Sequence, residues 1–257
     1  MKTFDSSWFR LDDKVAIVTG GASGLGAFYT QALLKSGAKV LVVSRSQKGW
    51  SELKTFATDN QADVAFIQCD ITETDAPQRI MDAVQSTFGQ LDILINNAGL
   101  QRRATWDEFT DEDWRAVIDV NLNALYYLSH AAAKQMAPQR HGKIINVASM
   151  QSFRAGKFIF PYTASKHGVV GLTKAYADAL APDNIQVNAI APGYIDTPMT
   201  KALQNDPERN AEILAHIPAG HWADPRELMG TIVFLASEAS NYITGATIPV
   251  DGGYLLR

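Results

Sequence analysis

Lys14-Val15-Ala16-Ile17-Val18-Thr19-Gly20-Gly21-Ala22-Ser23-Gly24-Leu25-Gly26 is the stretch that decides the fold. Its first half is an apolar run and its second half a glycine-rich turn. From Leu25 the apolar residues recur at helical spacing as far as Ser36, where Gly37 ends the pattern. Glycine permits a tight turn and a close approach of backbone to ligand. A helix that opens straight from such a turn aims its free N–H groups at an anion, so a pyrophosphate fits there. A glycine turn between the first strand and the first helix is the context a dinucleotide fingerprint requires.

Outward from this unit the chain alternates. Residues 39–43, 64–68, 91–95, 143–147, 185–190 and 247–250 read as further strands. Helical patterns cover 51–59, 75–88, about 110–137, 162–180, 207–216 and 225–236. Alternation of this kind predicts an α/β fold, a Rossmann-type three-layer sandwich. Its centre is a parallel sheet of about seven strands with helices on both faces. The strands are continuous apolar runs, as expected when both sheet faces are covered. With 257 residues, 46% of them hydrophobic, the chain can bury a sizeable core as a single domain spanning 1–257. Residues 192–207 are rich in Pro, Gly, Asp, Asn and Thr. A loop that long suits a substrate lid, and the lid region extends to about 222.

The formal net charge is −4 with no long run of one sign, so neither nucleic acid nor an anionic membrane is expected as a partner. Cys69 is the only cysteine, which excludes an intrachain disulfide and a Cys-rich metal site. No metal is expected. The start, Met1-Lys2-Thr3-Phe4-Asp5, lacks the apolar core of a signal peptide, and no apolar stretch has bilayer length. A soluble protein of the reducing cytoplasm is the expectation.

The chemistry concentrates between Gly142 and Lys166. An apolar run there ends at Ser149, and a loop leads to Pro161, Tyr162 and Lys166. Pro161 suits the first helical position, where its missing N–H costs nothing. Tyr162 and Lys166 are four residues apart and share one helix face. A hydroxyl, a phenol and an ammonium so placed can move a proton at a carbonyl or alcohol carbon. Free tyrosine has a pKa near 10 and is a poor base at neutral pH. An adjacent ammonium and the charge of oxidised nicotinamide are expected to lower it. Tyr162 is therefore the expected general acid/base, with Lys166 as its electrostatic aid and Ser149 as donor to the substrate oxygen.

The spacing Thr-Gly-x-x-x-Gly-x-Gly resembles the short-chain dehydrogenase/reductase family, and the resemblance recurs along almost the whole chain. Asn96-Asn97-Ala98-Gly99 matches the motif after strand four, Tyr162-Thr163-Ala164-Ser165-Lys166 the Tyr-x-x-x-Lys motif, and Pro192-Gly193 with Thr197 the segment flanking the nicotinamide. The resemblance implies an NAD(P)-dependent oxidoreductase that interconverts a secondary alcohol and a ketone. It implies catalytic roles for Asn121, Ser149, Tyr162 and Lys166, with Asn121 anchoring a water that links Lys166 to solvent. Lys166 is also implied to hold the nicotinamide ribose. The implied cofactor contacts are Gly20, Ser23, Gly24, Leu25, Gly26, Ser44, Arg45, Asp70, Ile71, Asn97, Ala98, Gly99, Tyr162, Lys166, Pro192, Gly193, Ile195 and Thr197.

The second strand ends Val42-Val43-Ser44-Arg45-Ser46, without the acid that often binds a ribose 2′-OH. Arg45 can pair with a 2′-phosphate instead, which favours NADP(H), whereas Ser23 lacks the basic character common in the glycine turn of NADP-preferring relatives. The cofactor is therefore NAD(H) or NADP(H). Near the expected mouth lie Arg102, Arg103, Gln151, Arg154 and Trp222, whose cations suit an anionic substrate. The segments 98–103, 143–150, 217–222 and 250–257 resemble the bacterial 2-dehydro-3-deoxy-D-gluconate 5-dehydrogenases, also called 2-deoxy-D-gluconate 3-dehydrogenases. That group implies a sugar-acid substrate and a homotetramer with the Asn121 and Tyr162 helices at one interface. Gln101, His221 and the Ser44-Arg45 pair depart from the group, so a gluconate 5-dehydrogenase or another small-ketone reductase is the alternative. A nucleotide-sensing regulator without chemistry is the other class, and it has no use for the intact catalytic set.

Overall fold

The computed structural model describes residues 3–198 and 200–257. Met1 and Lys2, part of the N-terminal stretch read above, and Met199, within the expected lid, lie outside them. The apolar runs form β1 (Val15–Thr19), β2 (Lys39–Ser44), β3 (Val64–Gln68), β4 (Ile93–Asn96), β5 (Gly142–Val147), β6 (Ile185–Pro192) and β7 (Thr247–Val250). All side chains of β1, β4, β5 and β6 are buried, because helices cover both faces of the sheet there. The strands are parallel, in the order β3-β2-β1-β4-β5-β6-β7. Chain progression reverses direction between β1 and β4, and a crevice opens outside the carboxyl ends of strands at such a point. The register sets Val18 against both Val42 and Ile95, so the ends of β1, β2 and β4 lie side by side.

The helices are α1 (Gly24–Lys35), α2 (Trp50–Asp59), α3 (Ala76–Phe88), α4 (Asp111–Ile118), α5 (Ala124–Gln139), α6 (Phe160–Leu180), α7 (Lys201–Gln204), α8 (Pro207–His216) and α9 (Met229–Ala236). Alternation along each strand divides the core. Ala16, Val18, Val40 and Val42 meet Leu33 of α1, Leu53 of α2 and Ile232 of α9 on one face. Ile17, Leu41, Leu94 and Ile144 meet Ile80 of α3, Leu128 of α5 and Ala177 of α6 on the other. A polar ladder crosses the second layer. Asn96 Nδ2 donates to Ser129 Oγ and Asn146 Oδ1, both at 2.9 Å, and Asn146 Nδ2 donates to Thr173 Oγ1 at 2.9 Å. This network fixes how α5 and α6 sit on β4 and β5, with Asn96 Oδ1 its one atom left without a partner.

Three expectations need correction. The helix expected over 110–137 is two helices joined by a π turn, Asp119–Asn123, and α5 continues to Gln139. A wide turn adds one residue without disturbing the apolar spacing enough to be read. The 225–236 pattern begins as a 3₁₀ turn, Pro225–Leu228, capped by Asp224. The 192–207 stretch includes α7 near its end. No helix among the described residues is long and apolar enough to cross a membrane.

Candidate active site

Thr19, the last residue of β1, ties the strand ends together. Its Oγ1 accepts from the main-chain N–H groups of Asn97 and Ala98, both at 3.0 Å. Asn97 Nδ2 returns a bond to Thr19 O at 2.9 Å. The Asn97-Ala98-Gly99 turn is thereby held beside the glycine turn. Gly20 and Gly24 adopt positive φ, +65° and +53°. A Cβ on Gly24 would meet no atom within 4 Å, so its backbone faces open cavity. A Cβ on Gly26 would stand 2.2 Å from Gly20 O, so Gly26 lets α1 press against the turn. No side chain caps the first N–H groups of α1, and no acid lies in its first turn. These groups and the open Gly24 face fit a dinucleotide pyrophosphate.

On the far wall, Ser149 follows β5 by two residues, and its Oγ accepts from Gln151 N at 3.1 Å. The chain then turns once and reaches α6, which opens with Pro161 in its first turn. Lys166 is buried, and its Nζ donates to Val147 O at 2.6 Å. Ser152 Oγ donates to Lys166 O at 2.7 Å. The end of β5 is thus stitched to α6 at both the side chain and the main chain of Lys166. The ammonium lies 5.6 Å from the centre of the Tyr162 ring.

A cavity of about 430 Å³ joins these parts. Gly20, Ser23, Gly24 and Leu25 line one side, Asn97, Ala98 and Gly99 the floor, and Ser149, Gln151, Tyr162 and Lys166 the other side. Pro192, Gly193, Ile195 and Thr197 close it from beyond β6. Burial lowers the Lys166 pKa to about 8. Burial also raises that of Tyr162, which the Ser149 hydroxyl partly offsets. Of the two charges expected to lower the phenol, the ammonium does not do so by itself. The cause is geometric: the ammonium is directed at the Val147 carbonyl, and both groups are out of water.

Ser44, Arg45, Asp70 and Ile71 lie outside this cavity, at the ends of β2 and β3. Arg45 Nη1 stands 4.0 Å from Asp70 Oδ2, and Asp70 Oδ1 accepts from Thr72 N and Oγ1. Asn121, on the π turn, is buried; its Oδ1 accepts from Leu100 N at 2.7 Å and its Nδ2 donates to Leu100 O and Ser165 Oγ. Its amide holds the Gly99–Leu100 backbone against α6 and does not touch Lys166.

Among the expected substrate residues, Gln151 and Arg103 line the cavity. Arg103 is exposed at the mouth, with its pKa lowered by desolvation first and by the nearby Arg209 charge. Arg102, Arg154 and Trp222 do not line it. Arg102 turns to Asp113, 3.7 Å away, since consecutive side chains on an extended segment point opposite ways. Arg154 lies over the Tyr254 ring and shares a hydrogen bond with His216. Trp222 donates to Asn210 Oδ1 at 2.7 Å and packs edge-on against Tyr194, so it backs the wall from behind. Tyr194 and Lys48 are among the lining residues that were not expected. Tyr194, between Gly193 and Ile195, could have been found from its neighbours. Lys48 reaches the cavity because Gly49 docks on Ala22, which no local pattern announces.

A glycine cradle at the switch point of a parallel sheet, facing a serine, a phenol and an ammonium across one cavity, defines a dinucleotide-binding oxidoreductase. A family model described as enoyl-(acyl carrier protein) reductase matches residues 20–255. An uncharacterized oxidoreductase of Escherichia coli (strain K12) is 47% identical over 100% of this chain and 98% of its own. The 2-dehydro-3-deoxy-D-gluconate 5-dehydrogenase of the same strain is 44% identical over 98% of this chain and 99% of its own. A crystal structure from Agrobacterium tumefaciens, described as a putative 2-deoxy-D-gluconate 3-dehydrogenase with bound NADP, superposes with a TM-score of 0.91 at 41% identity, covering 97% of this chain and 99% of that one. The chain belongs to the short-chain dehydrogenase/reductase family. It is an NAD(P)-dependent oxidoreductase acting on CH–OH groups.

Proposed function

We propose that the protein interconverts a hydroxyl and a ketone on a sugar acid such as 2-dehydro-3-deoxy-D-gluconate. The convergence of Ser149, Tyr162 and Lys166 on one cavity, with Arg103 at its mouth, carries the reading. The names of the relatives above support the substrate class. NAD(P), when bound, supplies the hydride acceptor or donor. Around it the chain's own residues divide the work. The first N–H groups of α1 would hold the pyrophosphate, and Asn97 to Gly99 with 192–197 would flank the nicotinamide end. Arg45, with no acid at the end of β2, favours NADP(H) by pairing with a 2′-phosphate. Ser149 donates to the substrate oxygen. Tyr162, neutral as it stands, gives a proton to that oxygen in reduction and must take one in oxidation. Lys166 shares the proton. Asn121, its side chain committed to Leu100 and Ser165, anchors the relay water through its main chain.

Arg103 meets the substrate carboxylate, since among the described residues no ion pair engages it and it lines the cavity. The 192–222 segment, which ends at Trp222, serves as the lid. We place the protein in the cytoplasm as a homotetramer, joined in part through the α5 and α6 faces, where Tyr126 and Tyr127 are exposed. Light scattering tests the assembly. The activity test is a panel of sugar acids and matching uncharged polyols with both cofactors. The acids should exceed the polyols at least tenfold in kcat/KM. Turnover of polyols but not of acids overturns the substrate class.

A further inference from the structure

Gln151 carries a polar group that the protein leaves unused. The residue is 7% exposed, and its Oε1 is shut away from solvent with no hydrogen-bond partner. A buried amide oxygen without a partner is costly, and because its side chain lines the cavity, a rotation about its torsions brings the amide to a ligand there. Gln151 lines the catalytic cavity beside Ser149, Tyr162 and Arg103. Its main-chain N–H donates to Ser149 Oγ at 3.1 Å, which fixes the residue one step from the hydroxyl that meets the reacting oxygen. A Cβ on Gly156 would stand 3.1 Å from Oε1 and 2.3 Å from Ile159 Cδ1, so the 153–159 loop closes over the side chain. That loop is tied to the Arg103 segment by Ala104 N donating to Phe158 O at 3.2 Å. The amide and the guanidinium therefore belong to one wall.

We infer that Gln151 is a specificity-determining residue that hydrogen-bonds a substrate hydroxyl on a carbon next to the reacting carbon. A carboxamide presents an oxygen acceptor and an N–H donor, and a half-turn about its last torsion exchanges them. A hydroxyl also donates and accepts, so the two match in either sense. A carboxylate only accepts and is taken by Arg103. A cavity built to bind a hydroxyl also rejects the analogue that lacks it, because the amide is again left alone. The inference rests on the sugar-acid reading and adds which part of the substrate is recognised.

The test compares the unaltered protein with Gln151→Met, which keeps the volume and removes both polar atoms, and with Gln151→Leu as a second apolar form. The substrates are 2-dehydro-3-deoxy-D-gluconate, D-gluconate and its 4-deoxy and 6-deoxy analogues, with butane-2,3-diol and butan-2-ol as an uncharged pair. NADPH fluorescence titration should give the same Kd for all three proteins. Both variants should lose about tenfold in kcat/KM on gluconate and less than twofold on one of the deoxy analogues. An equal loss on every substrate, or none on any, overturns the inference and leaves Gln151 as packing. If the unaltered protein ignores all the acids but the variants lose their preference for the diol over butan-2-ol, the sugar-acid reading fails and the Gln151 assignment stands. If neither preference depends on Gln151, the assignment fails.

Discussion

Replacing Gly26 by alanine tests the cradle directly. In α1 alone the change is favourable by up to about 1 kcal/mol, because alanine is the better helix former. Packing opposes it. The new methyl would stand 2.2 Å from Gly20 O, 2.6 Å from Asn97 Nδ2 and 2.8 Å from Gly20 C. Ordinary contacts between such atoms are about 3.5 Å, so the overlap is on the order of 1 Å against backbone. Asn97 cannot yield freely, since its Nδ2 holds Thr19 O at 2.9 Å. Overpacking against backbone lies at the upper end of about 1–3 kcal/mol, leaving a net loss of about 2 kcal/mol. For a chain of this size that lowers the melting temperature by about 4–8 °C. Moving the start of α1 also misaligns N–H groups aimed at the pyrophosphate. Losing one charge-assisted bond weakens NADPH binding about 10- to 100-fold. Fluorescence titration and thermal unfolding read both effects. Gly230→Ala is the control: it lies in α9 with nothing within 4 Å of its Cβ and should leave both readouts intact. A Gly26→Ala protein that binds NADPH as tightly as the original and melts no lower refutes the argument.

Tyr162→Phe should lower kcat by about 10²–10⁴ while NADPH titrates with an unchanged Kd; retained turnover removes Tyr162 as the proton carrier. Arg45→Ala should weaken NADPH at least tenfold and leave NADH within twofold, as measured by the same titration; equal effects on both cofactors separate Arg45 from the 2′-phosphate. Alcohol oxidation requires the Tyr162–Lys166 unit to have released a proton, so its kcat/KM should rise with pH through about 8, the lowered Lys166 value, and ketone reduction should fall over the same range. Lys143, at the opposite end of β5, is 1% exposed with its pKa lowered by burial to about 8. Its unfolded value near 10.5 means that the unfolded chain binds more protons between these limits, so stability rises with pH across that window by about 3 kcal/mol from this residue. In Lys143→Met, chemical unfolding at pH 7.5 and 10 should show that rise removed.

The seven strands were legible because each is a run of apolar residues closed by glycine, asparagine or a polar turn, which needs only local sequence. Ser149, Tyr162 and Lys166 were legible by spacing, and the cavity does contain all three. The π turn was not, since one additional residue leaves the spacing of Val117, Leu125 and Leu128 compatible with an unbroken helix. The mouth was read only in part. Arg102 and Arg103 are equal as letters, and only the direction of the backbone tells that one meets Asp113 and the other the cavity. Lys48 arrives through the docking of Gly49 on Ala22, a contact between segments that sequence proximity does not rank. The Tyr162 pKa could not be anticipated either, because burial outweighs the Ser149 hydroxyl while the ammonium is directed at Val147 O.

The surplus residue in Asp119–Asn123 has a consequence for how this chain tolerates change. A π turn is an α turn carrying one inserted residue, so deleting one residue there lets the segment close into an ordinary α turn with the phase of α5 against α4 nearly kept. The stripe formed by Leu128, Ala132 and Met136 then stays on the sheet, while the bulge that aims Asn121 at Leu100 is lost. One residue removed elsewhere in α5 turns everything beyond it by about 100° and takes that stripe off the sheet, so the α4–α5 arm tolerates a single-residue deletion for the core, at the cost of the site, at this turn alone.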